Sequence, residues 1–223
     1  MNTWRARAVI FDMDGVLVDS EPVHLEVACK TLTSIERDDP AALTREFVGH
    51  PVHDMLQTLV RRYGLPGTVE SYETRYHEHL LSRLAHPLPP RDGAVWLIEE
   101  IRRRSCRVGL ASSAKLAWIV AMLRATGLEG RFDVIVSIDM VDRPKPAPDV
   151  YLRAASTLGI APAECVAVED SPVGIEAAHA AGLTALGLAT GYIDSKALVN
   201  AAQVLASLRD FPLDHLAPAV DAR

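Results

Sequence analysis

The sequence predicts a doubly wound parallel α/β sheet with a small all-helical domain inserted after the first strand. Three observations predict it. A short apolar run, Ala8-Val-Ile-Phe11, breaks off into Asp-Met-Asp-Gly, which is how a buried strand ends. From Asp92 onward, apolar runs alternate with amphipathic stretches at the spacing of βα units, and such alternation requires a parallel sheet covered by helices on both faces. Between these two regions, Ser20 to Pro87 has a different texture. Its apolar residues recur at helical spacing (Val23, Val27, then Leu56, Leu59, Val60), and β-branched clusters are sparse.

Taken in order, Ala8–Phe11 is the first strand. The insert reads as three or four helices, punctuated by Asp39-Pro40, Gly49-His-Pro51 and Gly64-Leu-Pro-Gly67. Pro87-Leu-Pro-Pro90 returns the chain to the core, so the expected domains are 1–18 with 88–223, and an insert at 19–87. A helix over Ala94–Arg104 then leads to a strand at Val108–Ala111 and a helix from Lys115 to about Thr126. A strand at Phe132–Ile138, a helix at Asp149–Leu158 and a strand at Val166–Val168 follow. Ser171–Ala181 is a helix stopped by Gly182, and Thr184–Leu188 is the final strand. Pro148 and Pro172 stand at helix starts, where a missing N–H costs nothing.

At 223 residues, 49% of them hydrophobic and 23% charged, the chain has the composition of a soluble protein with a sizeable core. Lys+Arg 23 against Asp+Glu 29 gives a net charge of -6, which argues against binding a nucleic-acid backbone. Cys29, Cys106 and Cys165 are scattered and form no CxxC pair, as expected of buried thiols in a reducing compartment. Arg5 and Arg7 precede an apolar stretch in the manner of a signal peptide, but Asp12 and Asp14 interrupt it after a few residues. No apolar run is long enough to span a bilayer. The expectation is a cytoplasmic protein with no membrane or nucleic-acid partner.

Ligands of doubly wound sheets bind beyond the carboxyl ends of the strands. There the sequence puts Asp12 and Asp14, Ser112 and Ser113, and Glu169 and Asp170, with Lys145 in a following loop. Each has a plainer alternative. An Asp-x-Asp spacing arises about once by chance in a chain of this composition, and Gly15 after it serves any sharp turn. Ser112 before a helix is a phosphate site, with its hydroxyl and free helix N–H groups, or an N-cap. Lys145 is a cation positioned by three prolines, or an exposed loop lysine; Asp170 is a ligand, or a cap for the helix entering at Pro172. Together, four carboxylates at neighbouring strand ends repel unless a cation joins them, and an all-oxygen set suits Mg2+.

Four stretches in order, Asp12-Met-Asp14-Gly15-Val-Leu-Val, Leu110-Ala-Ser112, Lys145-Pro-Ala-Pro-Asp and Val168-Glu169-Asp170-Ser, resemble the haloacid dehalogenase superfamily. Asp19-Ser-Glu-Pro22 and Ser171-Pro-Val-Gly-Ile-Glu-Ala-Ala extend the likeness, which covers residues 8 to 190 and is closest to its β-phosphoglucomutases and sugar-phosphate phosphatases. The resemblance implies a Rossmann-like core, a helical cap, and a small phosphorylated metabolite as substrate. It implies that Asp12 is the nucleophile and Asp14 the general acid and base. It also implies Mg2+ on the Asp12 side chain, the Asp14 carbonyl and Asp170, with Glu169 a ligand or a neighbour of the ion. Ser112 and Lys145 would grip the phosphoryl oxygens, with Gly15 and Ser113 beside them. An acid at Asp14 argues against a dehalogenase, because the dehalogenases of the superfamily lack one there.

His24, at the core–cap junction, corresponds to a substrate-contacting histidine of the relatives, or is a packed or solvated side chain. His50 and His53, at the start of a cap helix, are further candidates for substrate contact; with no further Cys or His at ligand spacing, they do not make a zinc site. The mutases place an arginine three residues after the glycine of the cap's substrate loop, where Gly49-His-Pro-Val52 has Val52. That departure, and Ser20 after Asp19, favour a phosphatase over a phosphomutase. A non-hydrolysing phospho-acceptor module would have no use for Asp14 or the insert.

Overall fold

Ala8–Phe11, four residues without solvent exposure, form β1, the strand about which the sheet is ordered. The computed structural model describes residues 4–32, 46–47 and 51–219. Among the described residues, β1 is followed by α1 (Glu21–Thr31), α2 (Val52–Tyr63) and α3 (Val69–Leu84). The chain continues through α4 (Ala94–Arg103), β2 (Arg107–Ala111), α5 (Leu116–Ala125) and β3 (Val134–Val136). It ends with α6 (Asp149–Leu158), β4 (Cys165–Glu169), α7 (Pro172–Ala180), β5 (Thr184–Leu188) and β6 (Gln203–Leu205).

The strands lie in the order β3-β2-β1-β4-β5-β6, and all pairs are parallel. The chain winds outward from β1 through β2 to β3, then crosses back to β4 on the other side of β1. Such a reversal opens a crevice beyond the carboxyl ends of the two central strands. Strands covered on both faces are apolar from end to end, and Val9–Phe11 and Val166–Val168 fit that rule. On one face, Val150, Tyr151 and Ala154 of α6 and Ile175 and Ala178 of α7 close over Ala8, Ile10, Ala167 and Ala185.

Two elements depart from expectation. The strand anticipated over 132–138 is confined to Val134–Val136, because Ile138–Met140 winds into a 3-10 turn. Asp133, just before it, instead turns its carboxylate onto the Val108 N–H at 2.8 Å. The edge strand β6 was not anticipated: Gln203 and Val204 are exposed and only Leu205 is buried, so three residues carry no usable period.

The chain divides into two compact units, residues 1–19 with 89–223, and residues 20–88. Within the second, α1 and α3 pack together through Val23, Val27, Tyr76 and Leu80. Thr68 caps α3 by accepting the Ser71 N–H, and Gly64 ends α2 in the left-handed conformation. Among the described residues, no helix is long and apolar enough to cross a membrane.

Candidate active site

Sheet pairing continues one residue past two strands and so fixes the backbone where the polar side chains begin. The Asp12 N–H donates to the Val168 carbonyl and the Ser112 N–H to the Val136 carbonyl, both at 3.0 Å. After Asp12 the chain folds back on itself. Gly15 N–H donates to the Val18 carbonyl and Leu17 N–H to the Met13 carbonyl, each at 2.9 Å, while buried Met13, Val16 and Leu17 anchor the turn. Asp14 is thereby held beyond the carboxyl end of the central strand β1, two residues from Asp12.

Lys145 reaches this point from the segment between β3 and α6. Its Nζ donates to Asp12 Oδ1 at 2.7 Å, to Glu169 Oε1 at 2.6 Å and to the Ala111 carbonyl at 3.1 Å. All three ammonium hydrogens are therefore committed, and the side chain is only 6% exposed. Burial alone would lower its pKa, but the Asp12 and Glu169 charges outweigh burial and hold it above the ordinary lysine value. This is a buried cation and not an exposed loop lysine.

Glu169 is equally enclosed. Oε1 accepts both Lys145 and the Tyr151 hydroxyl, the latter at 2.6 Å, and Oε2 accepts the Ser171 hydroxyl at 3.1 Å. Ser171 also accepts the Gly174 N–H at 3.1 Å and so caps α7. The cap is thus Ser171, not Asp170. A Cβ at Gly174 would collide with the Glu169 carboxylate. Burial, then the Glu169 and Asp12 charges, push the Tyr151 phenol well above its ordinary pKa, so it remains a donor.

Against this single lysine stand Asp12, Asp14, Glu169 and Asp170. Burial raises the Asp12 carboxyl to about 7; Glu169 and Asp14 add to the rise and Lys145 opposes it. Asp170 is pushed up to about 8 by burial and then by Asp12, Glu169 and Asp14. Oxygens of Asp12, Glu169 and Asp170 lie within 4.8 Å of one another. An all-oxygen cluster in which Asp12 and Asp170 are this hard to ionise is short of positive charge, and it fits a hard divalent cation.

Gly15 is shaped to this cluster in two ways. Its φ of +74° favours glycine, and a Cβ there would fall on the Asp170 carboxylate. Gly15→Ala is therefore expected to displace Asp170 and to lower stability by about 1–3 kcal/mol through backbone strain. Urea unfolding would measure it, and an unchanged midpoint would contradict the close packing of Gly15 on Asp170.

The structure brings Asp12, Asp14, Lys145, Glu169 and Asp170 to the ends of β1 and β4, and Ser112 to the end of β2. The surroundings of Ser112 differ from expectation. Its hydroxyl accepts the Ala114 N–H at 3.0 Å, α5 begins only at Leu116, and Asp139 already accepts the Leu116 N–H at 2.7 Å. The start of α5 is thus spoken for by a carboxylate, leaving the tight turn at Ser112 and exposed Ser113 as the polar feature. His24 and His53 belong to the other unit. His24 Nδ1 lies 2.6 Å from the Tyr76 hydroxyl, and His53 Nδ1 lies 3.0 Å from Glu73 Oε1. His50 lies outside the described residues. Sequence reasoning missed Tyr151 and Ser171; the only available signal was their position at the first turn of α6 and the cap of α7.

A haloacid dehalogenase-like hydrolase profile matches residues 6–182. Phosphorylated carbohydrates phosphatase of Thermotoga maritima is 33% identical over 198 residues, spanning 88% of this chain and 92% of that protein. Beta-phosphoglucomutase of Bacillus subtilis is 29% identical over 192 residues, 83% of this chain and 84% of that one. The crystal structure of CbbY from Rhodobacter sphaeroides in complex with phosphate superposes with a TM-score of 0.80 at 26% identity, covering 93% of this chain and 96% of the other. The matched span runs from before β1 to beyond α7 and so takes in every loop of the carboxylate–lysine cluster. This chain is an enzyme belonging to the haloacid dehalogenase-like hydrolase family.

Proposed function

We propose that this hydrolase removes phosphate from small phosphate monoesters, sugar or polyol phosphates, in a Mg2+-dependent reaction that passes through a phosphorylated Asp12. The observation that carries the reading is the cluster in which Lys145 bonds both Asp12 and Glu169 beside Asp170. The Asp12 and Asp170 side chains and the Asp14 carbonyl would hold Mg2+, which supplies charge neutralisation for phosphoryl oxygens. Glu169, whose two oxygens already accept protein donors, is assigned a place beside the ion.

Asp12 attacks phosphorus, so that a carboxylate O–P bond forms as the ester P–O bond breaks, and Asp14 gives its proton to the departing alkoxide. Asp14 then takes a proton from a water whose oxygen bonds to phosphorus, and the Asp12 O–P bond breaks to release inorganic phosphate. Lys145 and Ser112, with Gly15 and Ser113 beside them, bind the phosphoryl oxygens and balance the charge on them. We assign selectivity among esters to the helical insert, through His24, His50 and His53. A panel of sugar, polyol and nucleoside monophosphates, assayed with Mg2+ for phosphate release, tests the reading; release from none of them would overturn it.

The relative from Bacillus subtilis keeps a phosphomutase as the second reading. Val52, an apolar residue where the mutases carry an arginine, supports hydrolysis, since it offers no charge-assisted contact to a second phosphate. With β-glucose 1-phosphate, free phosphate is the expected product. Rapid formation of glucose 6-phosphate, stimulated by glucose 1,6-bisphosphate, would decide for the mutase.

A further inference from the structure

The Tyr151 hydroxyl has no part in the steps above, yet it is buried against a charged group of the cluster. We infer that Tyr151 is a positioning residue: its hydroxyl locks the Glu169 carboxylate, and Glu169 in turn holds the Lys145 ammonium where a phosphoryl group is received. The assignment rests on the phosphatase reading for the role of Lys145, and on geometry for the rest.

Tyr151 sits in the first turn of α6 with no solvent exposure, packed in the cluster formed with Val150, Ala154 and Ile175. Its ring is thus fixed by packing, and an O–H lying near the ring plane has little freedom left. It meets Glu169 Oε1 at 2.6 Å, the short length of a charge-assisted bond. The same oxygen takes Lys145 at 2.6 Å, and Ser171 takes the other at 3.1 Å. Three donors therefore define the plane of a carboxylate that Asp12 and Asp170 would otherwise repel. The ring contributes separately. Lys145 Nζ lies 4.9 Å from its centroid, so the ammonium has three acceptors and an aromatic ring around it. Held by Glu169 and the Ala111 carbonyl, Lys145 stays in place while its bond to Asp12 exchanges for a bond to a phosphoryl oxygen.

Tyr151→Phe removes the donor and keeps the ring. With p-nitrophenyl phosphate and Mg2+, kcat is expected to fall about ten-fold, the worth of one hydrogen bond to a charged group. The dissociation constant of inorganic phosphate, measured by calorimetry, is expected to rise about three-fold or more. In a Glu169→Gln background the same substitution should change both quantities less than about two-fold, since no charged acceptor remains to be oriented. A purely structural role would lower the melting temperature in both backgrounds and leave kcat at 25 °C unchanged, and that result overturns the inference. Equal losses in the two backgrounds overturn it as well, because Tyr151 would then act other than through Glu169. If Glu169→Gln turns over too slowly to assay, the cycle is read in phosphate affinity alone. A wild-type protein that binds phosphate but hydrolyses no ester defeats the phosphatase reading, and the calorimetric cycle still decides the role of Tyr151.

Discussion

Asp12→Asn is expected to lower phosphate release by about 1,000-fold or more, the scale on which removing a covalent nucleophile acts. The fold should survive. Asparagine is the same size as aspartate, its Oδ1 still accepts from Lys145, and Glu169 remains as a charged partner for the ammonium at 2.6 Å. The substitution also removes a carboxylate that burial holds at about 7, so the metal-free variant should melt no lower than the wild type at pH 8. Phosphate release and thermal melting, measured on the same preparation, check both halves. Turnover within ten-fold of wild type would exclude Asp12 as the nucleophile.

Chelating the metal is expected to abolish turnover and to change how stability depends on pH. Asp12 at about 7 and Asp170 at about 8 both lie above their ordinary value of 3.8. For a carboxyl raised on folding, the native chain holds a proton that the unfolded chain has released. Its stabilising contribution is therefore present below about pH 4 and is lost progressively as pH rises toward 8. In EDTA, the melting temperature should fall by about 5 °C or more between pH 5 and pH 8. Saturating Mg2+ should restore more of that loss at pH 8 than at pH 5, because cation and protons compete for the same oxygens. Full activity in excess EDTA, or a metal-free melting temperature that rises over this range, would contradict the reading of the cluster.

Much of this was legible before any coordinates. Ala8–Phe11, Asp149–Leu158 and Thr184–Leu188 coincide with the expected elements because each is a clear local pattern closed by Asp, Gly or a preceding Pro. The polar ends of β1, β2 and β4 were legible for the same reason, since a carboxylate or hydroxyl directly after a buried strand needs no partner to be noticed. Local patterns failed where they were short or shared, as in the three residues of β6 and in 132–138, where Asp133 and Ile138 serve other bonds.

By itself the sequence determined β1, the succession of helices and strands from α4 to β5, and the residue types at the strand ends, because these rest on neighbours within a few positions. Only the tertiary structure decided that β1 lies between β2 and β4, and with it everything that depends on adjacency. Lys145 is 133 residues from Asp12 and 24 from Glu169, and Tyr151 is 18 from Glu169. No periodicity links such positions. Whether Lys145 is a solvated loop cation or a buried counter-ion, and whether Glu169 is open to a metal or enclosed by Lys145, Tyr151 and Ser171, depends on strand order and on the angle at which α6 meets the sheet. Those are set by the packing of whole apolar faces rather than by the residues that carry the chemistry.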